Sequence, residues 1–257
     1  MTTPSSGPSS FTACIIIIGN EILSGRTQDT NVAWLAKELN ELGIRVEEVR
    51  VIPDVEQTII DTVNTCRKQF TYIFTTGGIG PTHDDITSAC IAKAFGAALK
   101  QHQEAAAILE RHYGPTNLNS ARMKMAEIPV GGTLIANPVS AAPGFQIENV
   151  YVMAGVPEIM RAMFDSCKHT LKGGDKTLSR TVSAFVTEGM FAQKLTAIAQ
   201  RHPDVDIGSY PFQRSAGLGT SLVARATDEA ALEAAYREVK AMLMAYTPEV
   251  IEDDLAA

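Results

Sequence analysis

The sequence predicts a three-layer α/β domain on a mainly parallel sheet, followed by a small α+β module of order βαββα. Three observations predict it. Cys14-Ile15-Ile16-Ile17-Ile18 is apolar on both alternating faces, as a central strand covered by helices on each side requires. Strand-like and helix-like stretches then alternate to about residue 171, with crossovers long enough for right-handed parallel connections. After Lys172-Gly173-Gly174-Asp175, a linker composition, short alternating stretches and two helical faces follow in a different order.

Taken along the chain, Gly19 ends the first strand and a polar loop with Gly25 follows. Val32, Leu35, Ala36, Leu39 and Leu42 recur at helical spacing, with Asp29 or Thr30 to cap the start and Gly43 the end. Ile44 to Ile52 alternates as a strand; Val55, Ile59, Val63, Cys66 and Phe70 mark the next helix; Tyr72 to Thr75 is the third strand. Helices are predicted from Ile86 to Phe95, from Gln101 to Tyr113, ending at Gly114-Pro115, and from Asn119 to Glu127. Residues 131–146 are weakly periodic and read as loops and short strands. Val150 to Ala154 is a strand, and Pro157 suits the first turn of a helix reaching about Leu171. In the module, Arg180 to Val186, Asp206 to Tyr210 and Leu218 to Ala226 read as strands. Met190 to Ile198 and Leu232 to Met242 read as helix faces. The expected division is a disordered tail at 1–12, an α/β domain at 13–172, the module at 178–247 and an acidic tail at 248–257.

Composition narrows the function. The 257 residues are 45% hydrophobic, and 22 basic against 29 acidic residues give a net charge of −7. No basic run is present, which argues against a nucleic-acid or anionic-membrane partner. Four scattered cysteines, Cys14, Cys66, Cys90 and Cys167, lack metal-site pairing and read as reduced buried hydrophobes. With no run of 18 apolar residues and no secretory signal, a cytoplasmic protein is expected.

The chemistry concentrates at Thr75-Thr76-Gly77-Gly78-Ile79-Gly80-Pro81-Thr82-His83-Asp84-Asp85-Ile86-Thr87, a strand-to-helix turn. Glycines let the main chain approach a ligand closely, and amides at a helix start donate to anions. Bare carboxylates repel phosphate, so Asp84 and Asp85 call for a divalent cation, Mg2+ or similar, between them and the phosphate oxygens. The plainer reading, a tight turn with an Asp cap, explains one Asp and one Gly. Gly19-Asn20-Glu21, Asp54, this turn and Gly155-Val156-Pro157 all fall at carboxyl ends of strands, where ligands of such sheets bind.

Gly19-Asn20-Glu21-Ile22-Leu23-Ser24-Gly25, Asp29-Thr30-Asn31, the glycine and aspartate block, Ala142-Pro143-Gly144-Phe145 and Gly155-Val156-Pro157-Glu158 resemble the molybdopterin-binding-like domain. They are similar in particular to the N-terminal part of CinA proteins and to the matching domain of eukaryotic FAD synthases. The likeness covers about Cys14 to Leu171. It implies a MogA-like fold, a pocket for a nucleotide or molybdopterin, a homo-oligomer (dimer or trimer), and metal-dependent cleavage of pyrophosphates such as ADP-ribose or FAD. Neither the CinA deamidase domain nor the sulfate-reductase-like domain of FAD synthases lies in these residues, so those activities are not expected. Ser140-Ala141 stand where relatives commonly carry Gly-Thr.

On this reading Asp84 and Asp85 ligate the cation, and Asp54 completes the site, orients the water or caps a helix. Amides of Gly77, Gly78 and Gly80 hold phosphate, supplemented by the Thr76 and Thr82 hydroxyls. Gly19, Asn20 and Glu21 bind a ribose or base edge, or Glu21 serves the metal, or they form a buried loop-fixing network, and Asn31 only caps. Asn137, Pro143 and Gly144 wall the pocket. Lys124 meets phosphate or is a solvated helix lysine; His83 is a general base or a spacer; Trp34 is core edge, interface or cofactor stack. Two other functions share the residues: a protein that binds or adenylylates molybdopterin in molybdenum-cofactor metabolism, and a non-catalytic scaffold.

Overall fold

The computed structural model describes residues 11–252; the remainder of both expected tails lies outside the described residues. The chain divides into two compact units between Gly174 and Asp175. The first contains, in order, β1 (Phe11–Ile18), α1 (Asn20–Leu23), α2 (Asn31–Glu41), β2 (Ile44–Ile52), α3 (Glu56–Gln69), β3 (Tyr72–Thr76) and α4 (Thr87–Ala94). Then come β4 (Leu99–Gln101), α5 (Gln103–Asn117), α6 (Ser120–Lys124), β5 (Glu127–Pro129), β6 (Thr133–Ile135), β7 (Gly144–Ile147), β8 (Val150–Met153) and α7 (Pro157–Cys167).

Six strands form one sheet in the order β2-β1-β3-β8-β7-β6, with β2, β1, β3 and β8 parallel and β7 antiparallel to both neighbours. β1 is central because it is apolar on both faces. Cys14, Ile16 and Ile18 pack with Ile59, Val63 and Cys66 of α3 and Ile91 of α4. Ala13, Ile15 and Ile17 pack with Leu35 and Leu39 of α2 and Met160 and Phe164 of α7 on the other face. Each such isoleucine contributes about 1.5–3 kcal/mol of burial. Asp29 Oδ1 accepts the Val32 amide at 2.9 Å and starts α2. Trp34 proves to be core edge, half-buried and edge-on to Phe164 with centroids 5.6 Å apart.

Four details depart from the sequence reading. The polar loop after Gly19 begins with the short helix α1. β4 and β5 pair as an antiparallel ribbon, too short to show a period. Residues 172–174 are not a free linker: the Gly174 amide donates to Gly43 O at 3.1 Å and the Lys172 amide to the Tyr72 hydroxyl at 2.9 Å. α5 does not end at Gly114-Pro115 as expected but continues to Asn117 through a kink at Gly114, whose φ is 65°.

The second unit contains β9 (Leu178–Ala184), α8 (Glu188–Arg201), β10 (Asp206–Arg214), β11 (Gly217–Ala226), α9 (Glu229–Met244) and β12 (Ile251–Glu252). Its antiparallel sheet runs β10-β11-β9-β12, and Val182 and Leu222 pack against Phe191, Ile198, Val239 and Leu243 of the two helices. β12 falls in the stretch read as an acidic tail. It adds a strand to βαββα, pairing Ile251 with Ser183 and Glu252 with Val182.

Candidate functional site

β3 delivers the chain to the carboxyl edge of the sheet, and Gly77-Gly78 turn it toward α4. Glycine is required at both. Gly77 has φ 105°, and a Cβ there would lie 2.1 Å from Ile18 O; Gly78 has φ 68°, and a Cβ would meet Thr87 Oγ1 at 2.2 Å. Buried Thr87 ties the turn to α4: its amide donates to Gly78 O and its hydroxyl to Gly77 O, both at 3.0 Å. The Gly77 amide donates to Met153 O at 3.1 Å, so it is not available to a phosphate as the sequence suggested. Among the described residues the Gly78, Ile79 and Gly80 amides have no intramolecular acceptor, and all three residues line a cavity of about 690 Å³. Anion-binding capacity therefore begins one residue later than expected.

Asp84 and Asp85 converge on Thr82. The Thr82 amide donates to Asp85 Oδ2 at 2.8 Å, and its hydroxyl lies 2.5 Å from both Asp84 Oδ1 and Asp85 Oδ2. One hydroxyl proton cannot serve two carboxylates, so the pair carries anionic oxygen that a cation would neutralise. The Thr82 hydroxyl, chiefly, holds the Asp84 carboxyl below the usual carboxylate range. Asp85 lines the cavity, and Gly80 leaves it room, since a Cβ there would sit 2.6 Å from Asp85 Oδ2. Lys124 Nζ donates to Thr82 O at 2.8 Å and Asp85 O at 2.9 Å, so it clamps the acidic loop. The His83 side chain is 98% exposed, as a spacer would be.

Asp54 stands elsewhere. Its Oδ2 accepts the Asn20 amide at 2.9 Å at the start of α1. Among the described residues no three His, Cys, Asp or Glu side chains gather as a metal-holding group. The donor set that does exist, two carboxylates, fits an ion that takes its other ligands from phosphate oxygens and water, as nucleotide-bound Mg2+ does.

The remaining walls come from residues with and without a sequence signal. Glu21 lines the cavity, and its carboxylate folds over Gly19, where a Cβ would be 2.5 Å from Glu21 Oε1. Asn20 is exposed and outside the lining. Asn137 borders the cavity but its amide is occupied: Oδ1 accepts the Val139 and Ser140 amides at 3.1 Å, and Nδ2 donates to Ser140 Oγ at 2.7 Å and Ala142 O at 2.8 Å. It fixes the loop that presents Ser140 and Ala142. Pro143 and Gly144 are buried behind that loop, where a Cβ on Gly144 would lie 2.4 Å from Val152 O. Thr76 lies behind the glycine turn, 1% exposed, facing a smaller side chamber.

Sequence reasoning missed Tyr113 and Arg122, which line the cavity from α5 and α6. The Arg122 guanidinium lies 4.3 Å over the Tyr113 ring and donates to Asn117 O. With Val156, Ile159 and Met163 of the α7 segment they make a wall suited to a flat ring system. Only the break at Gly114-Pro115 hinted that chain turns there toward the sheet edge.

Comparison with known proteins decides the family. Residues 14–173 match the family model described as "Probable molybdopterin binding domain". The chain belongs to the molybdopterin-binding domain family. Residues 176–249 match a second family model, "FAD synthase, middle domain". A protein of Archaeoglobus fulgidus is 36% identical over 77% of this chain and 84% of its own length. A protein called "Probable FAD synthase" from Caenorhabditis elegans is 30% identical over 92% of this chain, which spans 50% of that protein. The crystal structure of CinA from Thermoplasma acidophilum, whose function is described as unknown, superposes with TM-score 0.60. It is 33% identical and covers 63% of this chain and 98% of its own. The molybdopterin-binding domain thus has the MogA-like fold. Among the described residues no helix is long and apolar enough to cross a membrane.

Proposed function

We propose that this molybdopterin-binding domain protein is a divalent-metal-dependent nucleotide pyrophosphatase acting on a dinucleotide of the ADP-ribose or FAD type. The observation that carries the reading is the juxtaposition, on one large cavity, of three uncommitted amides, Gly78 to Gly80, with Asp85, to which Asp84 is joined through the Thr82 hydroxyl. Amides favour phosphate oxygens; the paired carboxylates repel them unless a cation stands between. Asp84 and Asp85 would hold that ion, which would neutralise negative charge on the diphosphate. The Gly78–Gly80 amides orient the diphosphate, Lys124 keeps the acidic loop in place, and the Tyr113/Arg122 wall holds the flat ring. Water attacks one phosphorus, the P–O bond to the bridging oxygen breaks, and two phosphomonoesters and protons leave. We include in the proposal a homo-oligomeric cytoplasmic protein.

The test is a turnover panel of ADP-ribose, FAD and related dinucleotides with Mg2+, Mn2+ and other divalent ions, with products identified. AMP release is expected, falling by about 10²-fold or more in Asp84→Asn and Asp85→Asn. Absence of turnover across the panel with every metal sinks the reading. The family match favours a second reading, in which a pterin occupies the cavity and is bound or adenylylated. Tight pterin binding without pyrophosphate cleavage would select it.

A further inference from the structure

Beside the cavity two buried polar atoms, Asn31 Oδ1 and Thr76 Oγ1, have no hydrogen-bond partner in the protein. Asn31 is 4% and Thr76 1% exposed. Buried polar groups are nearly always paired, so two orphans on one chamber ask for a partner from outside the chain. Both residues line a chamber of about 60 Å³, and Glu21, Thr27, Gly155 and Pro157 border this chamber and the large cavity alike. The Asn31 amide is oriented: Nδ2 donates to Gly155 O at 2.8 Å, which leaves Oδ1 as the uncommitted atom.

Size and chemistry narrow the occupant. At about 60 Å³ the chamber is far smaller than the 690 Å³ cavity it adjoins and has room for small polar groups such as hydroxyls. Asn31 Oδ1 and the Glu21 carboxylate accept, Thr76 Oγ1 donates or accepts, and no Lys, Arg or His borders the space. Such a set refuses anions and takes paired hydroxyls, as an acidic residue does for ribose hydroxyls in dinucleotide folds. We propose that the chamber reads the vicinal diol of a ribose whose phosphates lie at the glycine turn. Asn31 and Thr76 then become specificity residues, and Thr76 acts on sugar and not on phosphate. The inference rests on the nucleotide-diphosphate reading and names the sugar that reading requires.

Equilibrium binding of ADP, 2′-deoxy-ADP and 2′,3′-dideoxy-ADP to the full chain with Mg2+ tests it, because the three probes share phosphates and base. The wild type is expected to prefer ADP over the dideoxy compound by about 30-fold, the effect of two hydrogen bonds. Thr76→Val, equal in shape, should shrink that ratio to below about 5-fold by weakening ADP alone, and Thr76→Ser should restore it. Equal binding of all three probes by the wild type overturns the inference without needing any variant to fold. So does a Thr76→Val protein that melts at lower temperature but keeps the full ratio, since the chamber would then hold structural water only. If ADP-ribose or FAD is cleaved while the ratio stays near one, only the diol assignment falls. If nothing is bound or cleaved, the functional reading falls and takes this assignment with it.

Discussion

At the scale of single residues, the site depends on a few atoms that no substitution can imitate. Gly77→Ala would place a methyl 2.1 Å from Ile18 O at φ 105°, and we expect a loss of about 3 kcal/mol or more, read from the denaturant midpoint. Lys124→Met removes two bonds from a charged donor to the acidic loop and should cost about 2 kcal/mol, with a fall in turnover that added metal partly restores. The four buried thiols make a contrasting case. Burial pushes Cys90 up to about 11 and Cys167 up to about 12, so a thiol-reactive chromophore at pH 8 should react with neither in the native protein and with both after unfolding. The glycine and aspartate chemistry was legible because residue type alone constrains backbone and charge there. What stayed hidden was which donors were already spent. The Gly77 amide and the Asn137 amide group look identical in sequence to free ones, and only tertiary contacts with Met153 and with the 137–142 loop commit them.

At the scale of elements, period and punctuation carried most of the fold. β1 was readable from five consecutive apolar residues, and α2 from its spacing and from Asp29 and Gly43 at its ends. Elements of two to four residues, α1, β4, β5 and β12, are too short to express a period and were found only by their partners. Tyr113 and Arg122 escaped for a related reason: no local pattern marks them, and only the tertiary fold brings α5 and α6 to the cavity wall. In the second unit α8 is tied to α9 by Glu238, which accepts from Arg201 and lies 3.1 Å from His202 Nε2. Arg201, chiefly, and His202 hold the Glu238 carboxyl below its ordinary 4.5. A depressed carboxylate stabilises the fold above its unfolded pKa and loses that contribution as pH falls through the folded value. Glu238→Gln should therefore be slightly less stable than wild type at pH 7, and the difference should shrink below about pH 4.5 and vanish in stronger acid. A difference that stays constant across that range would show the pair to be idle.

At the scale of the whole molecule, the chain is two compact units with separate apolar cores, and every residue placed at the site belongs to the first. A truncated chain of residues 11–174 should fold cooperatively and keep nucleotide affinity within about 3-fold of the full chain, as calorimetric titration would show. The segment 172–174 must stay in it, since it bonds to Gly43 and Tyr72. On the proposed function the acidic pair and the amide turn act together through a cation, so metal and nucleotide binding are coupled. Metal and nucleotide must each strengthen the other by the same factor. Titration of ADP with and without Mn2+, with free Mn2+ followed by paramagnetic resonance, measures that factor directly. At least a 10-fold mutual enhancement is expected in the wild type, with its loss in Asp84→Asn and Asp85→Asn. ADP affinity that is the same with and without the ion would contradict it.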